Sequence, residues 1–241
     1  MRDEIKRFAD LDELSRAVAE DIYNEIKDSI GRKGNFTIAL SGGHTPSKLY
    51  HILATDYRDL IRWDQVHIFF GDERYVPHTD TQSNFKMTEE SLLDLIPIPF
   101  KNVHPIATDH PDPEKAAIEY EGELKKMFSG PDSFDVVLLG MGKEGHTASL
   151  FPNSPALDEK RRWVLPVNAP VTPSRRITLT YNIFNRSAAT FLLVAGEDKC
   201  ETIGNVILVD ADYHTFPIKG IMPTTGRLVW YLDAAAASKI L

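Results

Sequence analysis

Phe36-Thr37-Ile38-Ala39-Leu40-Ser41-Gly42-Gly43-His44-Thr45-Pro46 runs from an apolar segment straight into paired glycines. The first five residues have the length and continuous apolarity of a buried strand, and a helix-like stretch follows from Ser47 through Leu53. A strand that turns through glycines into a helix is the opening half of a βαβ unit. The turn has two readings: adjacent glycines let backbone N–H groups face an anion at the start of the next helix, and they also make an ordinary tight turn. The Gly-Lys-Ser/Thr ending of a Walker loop and the spacing of a dinucleotide fingerprint are both missing.

The pattern continues outward on both sides. Upstream, Leu11, Leu14, Val18, Ile22, Ile26 and Ile30 recur at helical spacing behind Asp10 as N-cap and Glu13 three residues later, with Gly31 and Gly34 as the expected stop. Downstream, strands are expected at Val66–Phe70, Asn102–Ile106, Val136–Leu139, Trp163–Val167, Ile177–Thr180, Thr190–Ala195 and Leu228–Trp230. Helices are expected at Glu89–Ile96, Pro113–Phe128 and Asp198 to about Ile207. Alternation of this kind predicts an α/β fold with an open, mostly parallel sheet and helices on both faces, Rossmann-like in type. Internal repeats, low-complexity tracts and long linkers are absent from the sequence, so the expectation is a single domain over residues 1–241.

Composition narrows the class of function. The 241 residues are 42% hydrophobic, 26% charged and 10% aromatic, which is ordinary globular usage. With 27 basic and 35 acidic residues the net charge is −8, without the basic surplus by which nucleic-acid binders displace counterions from phosphates. One cysteine, Cys200, cannot form an internal disulfide, which fits a reducing compartment. It falls in helical periodicity with Ile203 and Ile207 and reads as buried packing. Met1–Asp10 lacks the apolar core of a signal peptide, and no apolar run is long enough to span a bilayer. A cytoplasmic protein with no nucleic-acid or membrane partner is therefore expected, as a monomer or a small homo-oligomer.

In open α/β sheets ligands bind beyond the carboxyl ends of the strands. Three polar clusters follow strands directly: Ser41–Pro46, Gly71–Pro77 and Gly140–Pro152. The second, Gly71-Asp72-Glu73-Arg74-Tyr75-Val76-Pro77, offers a guanidinium suited to a phosphate or carboxylate; a surface Glu–Arg pair is the plainer alternative, and Gln82, Ser83 and Asn84 follow as weaker polar candidates. The third, Gly140-Met141-Gly142-Lys143-Glu144-Gly145-His146-Thr147-Ala148-Ser149-Leu150-Phe151-Pro152, sets a carboxylate and a histidine two residues apart among three glycines. That places a potential base and its orienting acid in one loop. Arg176 at a strand start and Lys199 at a helix start, where a cation opposes the helix dipole, hint at a bound anion or are solvated charges. Metal-site motifs and the Gly-x-Ser-x-Gly elbow of the hydrolases are missing.

Together these clusters resemble the 6-phosphogluconolactonase family, the lactone-hydrolysing enzymes of the pentose phosphate pathway. Ala39–Pro46, Phe70–Pro77, Gly140–Pro152, Arg176–Thr180 and Gly196–Lys199 match in family order, and Pro223-Thr224-Thr225-Gly226-Arg227-Leu228-Val229-Trp230-Tyr231-Leu232-Asp233 is similar to that family's ending. The resemblance implies a fold related to glucosamine-6-phosphate isomerase/deaminase, no metal or organic cofactor, and a small phosphorylated sugar lactone as substrate. It implies His146 as catalytic base with Glu144 as the loop's carboxylate; Asp72 is the third catalytic candidate, to hold Arg74 or a substrate hydroxyl. Arg74, Ser41, Gly42, Gly43, Arg176 and Lys199 would bind the phosphosugar. Glu144 stands where the family usually has Asp. Two rival readings remain at this level: an isomerase/deaminase in which Asp72 abstracts a C2 proton, and a non-catalytic sugar-phosphate-binding protein.

Overall fold

Asp10 accepts a hydrogen bond from the Glu13 N–H at 2.9 Å, and the Glu13 carboxylate accepts one from the Ala9 N–H at 2.7 Å, so this reciprocal cap starts α1 (Leu11–Lys33) where the sequence places it. Leu14, Val18, Ile22 and Ile26 form its buried face, each side chain worth about 1.5–3 kcal/mol in removed apolar surface. Gly31 does not end the helix. It stays inside α1, a tolerable cost of about 1 kcal/mol against alanine, and Gly34 closes the helix through its N–H to the Ile30 carbonyl. The computed structural model describes residues 4–209 and 211–240.

The other elements are β1 (Glu4–Phe8), β2 (Phe36–Leu40), α2 (His44–Thr55), β3 (Val66–Phe70), β4 (Asp72–Arg74), α3 (Asn84–Ser91), β5 (Val103–His104), α4 (Pro113–Met127) and β6 (Val136–Gly140), followed by β7 (Val164–Asn168), β8 (Arg175–Leu179), α5 (Tyr181–Phe184), β9 (Ala189–Val194), α6 (Cys200–Leu208) and β10 (Arg227–Asp233). Seven strands form one parallel sheet in the order β1-β10-β9-β6-β2-β3-β5, flanked by helices. From β2 the chain moves outward through β3 to β5, then returns to place β6 on the other side of β2. The strand order therefore reverses between β2 and β6, and a crevice is expected beyond the carboxyl ends of those two strands. All five residues of β2 are buried, as a central parallel strand requires.

Two expectations need correction. The strands read at Trp163–Val167 and Ile177–Thr180 exist as β7 and β8, but they do not join the parallel sheet; they pair antiparallel in a separate sheet of order β4-β8-β7. The linker between them is too short for a parallel crossover, so antiparallel pairing is the geometry left to it. The helix read at Glu89–Ile96 begins earlier, at Asn84, because Ser83 caps it by accepting from the Lys86 N–H at 3.3 Å; past Leu92 only a short 3₁₀ turn remains at Leu93–Leu95.

At the sheet edge lies β1, which the charge-rich N-terminus concealed; Met1–Asp3, where the reading of a missing signal peptide begins, lie outside the described residues. Cys200 opens α6 half-buried rather than buried. Among the described residues no helix is long and apolar enough to cross a membrane.

Candidate active site

At the reversal point Ser41 follows β2 and Gly140 ends β6; a side chain on Gly140 would stand 3.8 Å from Ser41 Oγ. Tyr50, buried on α2, locks the first loop by accepting from the Ser41 N–H at 3.1 Å and donating to the Ser41 carbonyl at 2.7 Å. The glycines then lead into α2, whose N-terminus carries no side-chain cap, so its positive end faces the crevice. Gly42 lies so close to Asn84 that a Cβ would sit 1.9 Å from Asn84 Oδ1. Only glycine allows that approach.

The crevice is a cavity of about 410 Å³. It brings together Ser41, Gly42, Gly43, Asp72, Arg74, Arg176, Lys199 and His146 from segments spread over most of the chain. Of the residues expected at the site, only Glu144 does not line it. Glu144 lines a separate depression with Phe151 and Pro152, and its Oε1 lies 3.1 Å from His146 Nδ1.

His146 owes its position to the loop glycines. The Gly142 N–H donates to the His146 carbonyl at 2.9 Å, and a Cβ on Gly142 would fall 2.0 Å from the imidazole. The ring stacks on Phe151 at 4.5 Å between centroids. Burial pushes the His146 pKa below its ordinary value. Glu144 and Asp72 pull it back up, while Arg176 adds to the lowering. Burial outweighs the two acids, so the neutral form of the imidazole is favoured. Nδ1 is buried with Glu144 close by but out of hydrogen-bond alignment; a carboxylate on that side favours the tautomer with its proton on Nδ1, which leaves the Nε2 lone pair free to accept a proton.

The antiparallel sheet builds the cationic wall. Along β4, Asp72 and Arg74 share one face and Glu73 takes the other; in register with them stand Thr178 and Arg176 of β8. Glu73 is not a surface partner of Arg74. It is buried, accepts from the N–H groups of Arg74, Asn84 and Phe85 at 2.7 Å each and from Ser83 Oγ at 3.0 Å, and so ties the start of α3 to β4. Desolvation raises its pKa against those donors. Arg74 is held by a bond to the Gln82 carbonyl at 2.6 Å, with its Nε buried and unpartnered. Arg176 is 7% exposed, is fixed through Nε to the Pro173 carbonyl at 2.7 Å, and has its pKa lowered chiefly by burial. The neighbouring Arg175 faces outward and stacks on Tyr75. Lys199 completes the wall, with its ammonium 3.4 Å from Asp198.

Asp72 accepts from Ser149 Oγ at 2.5 Å through one carboxylate oxygen and from Asn84 Nδ2 at 3.1 Å through the other. Ser149, fully buried, thus joins the loop of His146 to β4. Nothing in the local pattern singles it out, because a serine inside a loop has no periodicity to reveal its burial. No cluster of three or more His, Cys, Asp or Glu side chains suited to a metal is found among the described residues.

A cationic pocket at the reversal point of a parallel sheet, beside a neutral imidazole, defines a class of α/β proteins equipped to meet a small anion with a base. Sequence comparison narrows the class. The chain belongs to the family of glucosamine-6-phosphate isomerases/6-phosphogluconolactonase, which matches over residues 9–230. It is 40% identical over 223 residues to a 6-phosphogluconolactonase of Synechocystis, covering 91% of this chain and 90% of that protein. The solved 6-phosphogluconolactonase of Trypanosoma brucei superposes with a TM-score of 0.88 at 29% identity, covering 100% of this chain and 99% of that one. A monomeric glucosamine-6-phosphate deaminase superposes with a TM-score of 0.84 over 98% and 99% of the two chains; at 19% identity it shares the fold.

Proposed function

We propose that this protein hydrolyses 6-phospho-D-glucono-1,5-lactone to 6-phosphogluconate. One observation carries the proposal: a neutral His146 shares a single cavity with Arg74, Arg176 and Lys199. A base alone would suit many reactions and cations alone would suit a sensor. Their convergence suits a substrate with a phosphate at one end and a reactive carbonyl at the other, and relatives named for that activity support the choice.

In this mechanism the phosphate is gripped by the cationic wall, so remote binding energy fixes the lactone carbonyl near His146. His146 Nε2 takes a proton from water as its oxygen attacks C1, giving a tetrahedral oxyanion and an imidazolium beside Glu144. Backbone N–H groups of Gly42, Gly43 and the start of α2 stabilise the oxyanion. Collapse breaks the bond from C1 to the ring oxygen, and the imidazolium returns its proton to that oxygen. The product is the open acid, and His146 is neutral again. Asp72, with donors on both oxygens, orients Arg176 or receives a sugar hydroxyl.

The deciding experiment is turnover of freshly prepared lactone by purified protein, followed as acid release, with and without chelator. Acid release above the spontaneous rate, unchanged by chelator, is the expected result. A protein that binds 6-phosphogluconate but leaves the lactone rate at background is a sensor, and the proposal fails.

A further inference from the structure

β10 ends beside β9, with Leu232 in register with Val194, so Asp233 lies next to the turn that leaves β9. Its side chain is 8% exposed, and the partners of its carboxylate are backbone donors: the Gly196 N–H at 3.1 and 3.0 Å from the two oxygens, and the Ala236 N–H at 2.8 Å. Gly196 is where the chain reverses, with φ +104, in a region L side chains rarely adopt. From it the 3₁₀ turn Glu197–Lys199 starts, closed by the Lys199 N–H to the Gly196 carbonyl at 3.1 Å, and this turn presents Lys199 to the cavity.

We infer that Asp233 is a positioning residue: by holding the Gly196 N–H it fixes the turn that aims Lys199 at the substrate's phosphate. This rests on the function proposed above for the phosphate end of the site. A buried carboxylate used on amide donors is costly unless fully bonded, and two of the three contacts it makes go to Gly196, the residue whose backbone sets the direction of the Lys199 segment, while the third closes its own turn at Ala236. Asparagine is a poorer partner: its oxygen can keep the Oδ1 contacts to Gly196 and Ala236, but its NH2 would face the Gly196 N–H where Oδ2 now accepts, and the negative charge is lost. The closing segment of the sequence thereby acquires a role 37 residues from the turn it serves.

The test is a cycle of Asp233→Asn, Lys199→Ala and the double variant, with KM and kcat for 6-phosphogluconolactone and calorimetric affinity for inorganic phosphate. Each single variant is expected to raise KM and weaken phosphate binding about tenfold, the scale of one charge-assisted contact, with kcat within about twofold. The double variant should be no worse than Lys199→Ala, because Asp233 acts through Lys199. Independent penalties that multiply, or a loss in kcat with KM unchanged, overturn the inference. If Asp233→Asn fails to fold, Gly196→Ala perturbs the same turn from the other side and must give the same KM and phosphate profile. If the wild-type protein opens no lactone, the functional proposal falls and phosphate affinity alone decides the role of Asp233. Wild-type protein that opens the lactone but binds no phosphate overturns the role of Asp233 alone, and one that does neither overturns both.

Discussion

Arg74 and Arg176 stand directly opposite each other in the antiparallel ladder of β4 and β8, two like charges where a cross-strand pair would ordinarily be opposite or apolar. Each is anchored to a backbone carbonyl, so neither can swing away from the other. Asp72 on the same face offsets part of the repulsion. An anion in the cavity would relieve the rest, so the pair favours the entry of negative charge, in line with the proposed phosphate site.

The repulsion should be visible in stability. Arg176→Met keeps the side-chain volume and removes a buried cation, so the ligand-free Tm is expected to be no lower than that of the wild type. At the same time KM should rise by the loss of about 1.5–3 kcal/mol, the worth of a hydrogen bond to a charged group. Thermal denaturation with and without inorganic phosphate checks both halves: phosphate should raise the wild-type Tm and shift the variant's much less. A variant several degrees less stable with unchanged KM would mean that Arg176 serves the fold.

His146→Gln should leave the fold intact and lower kcat by about 10²–10⁴, the contribution of a general base. The pH profile gives a sharper check. The base must be neutral to act, and burial holds its pKa below the ordinary value, so kcat/KM should fall on acidification through a limb below about 6.5. Glu144 favours the imidazolium and raises that pKa. Glu144→Gln should therefore move the limb to still lower pH. Movement toward alkaline pH would contradict the assignment of their charges.

Gly142→Ala tests the loop rather than the base. A methyl group at 142 would occupy the space of the His146 ring, 2.0 Å from Cε1 and Nδ1. The imidazole must leave its place against Phe151. Expected is a fall in kcat approaching that of His146→Gln, with KM and phosphate affinity within about threefold, because the cationic wall is built by other strands. Wild-type kcat in this variant would show that the ring need not sit where it does.

The sequence made the parallel sheet and the gathering of the three loop clusters legible because both follow from local pattern: apolar runs, glycine turns and the rule that ligands lie at the carboxyl ends of strands. What escaped was non-local. β4 is three residues long and carries Asp72, Glu73 and Arg74, with no apolar alternation to announce a strand; it exists because β8 supplies its ladder. Glu73 and Arg74 read as a possible surface pair, and the structure separates them onto opposite faces of that strand. Ser149 looked like any loop serine until its partner Asp72, 77 residues away, was brought beside it. Glu144 was expected as the acid beside His146, and it is near, but it stands outside the cavity.

Asp72 decides between lactonase and isomerase/deaminase chemistry. Abstraction of a C2 proton requires a carboxylate with an oxygen free to reach carbon. Here one oxygen accepts from Ser149 and the other from Asn84, both contacts buried. Such a carboxylate is better placed to orient neighbours than to take a proton. Asp72→Asn is accordingly expected to weaken lactone hydrolysis less than His146→Gln does, with the loss chiefly in KM. Offered glucosamine 6-phosphate, the protein should release no ammonia, and in deuterated water a ketose phosphate should gain no deuterium at C2. Ammonia or C2 exchange at rates rivalling lactone opening, abolished by Asp72→Asn, would transfer the activity to the other branch of the family while leaving the proposed phosphate site at Arg74 and Arg176 untouched.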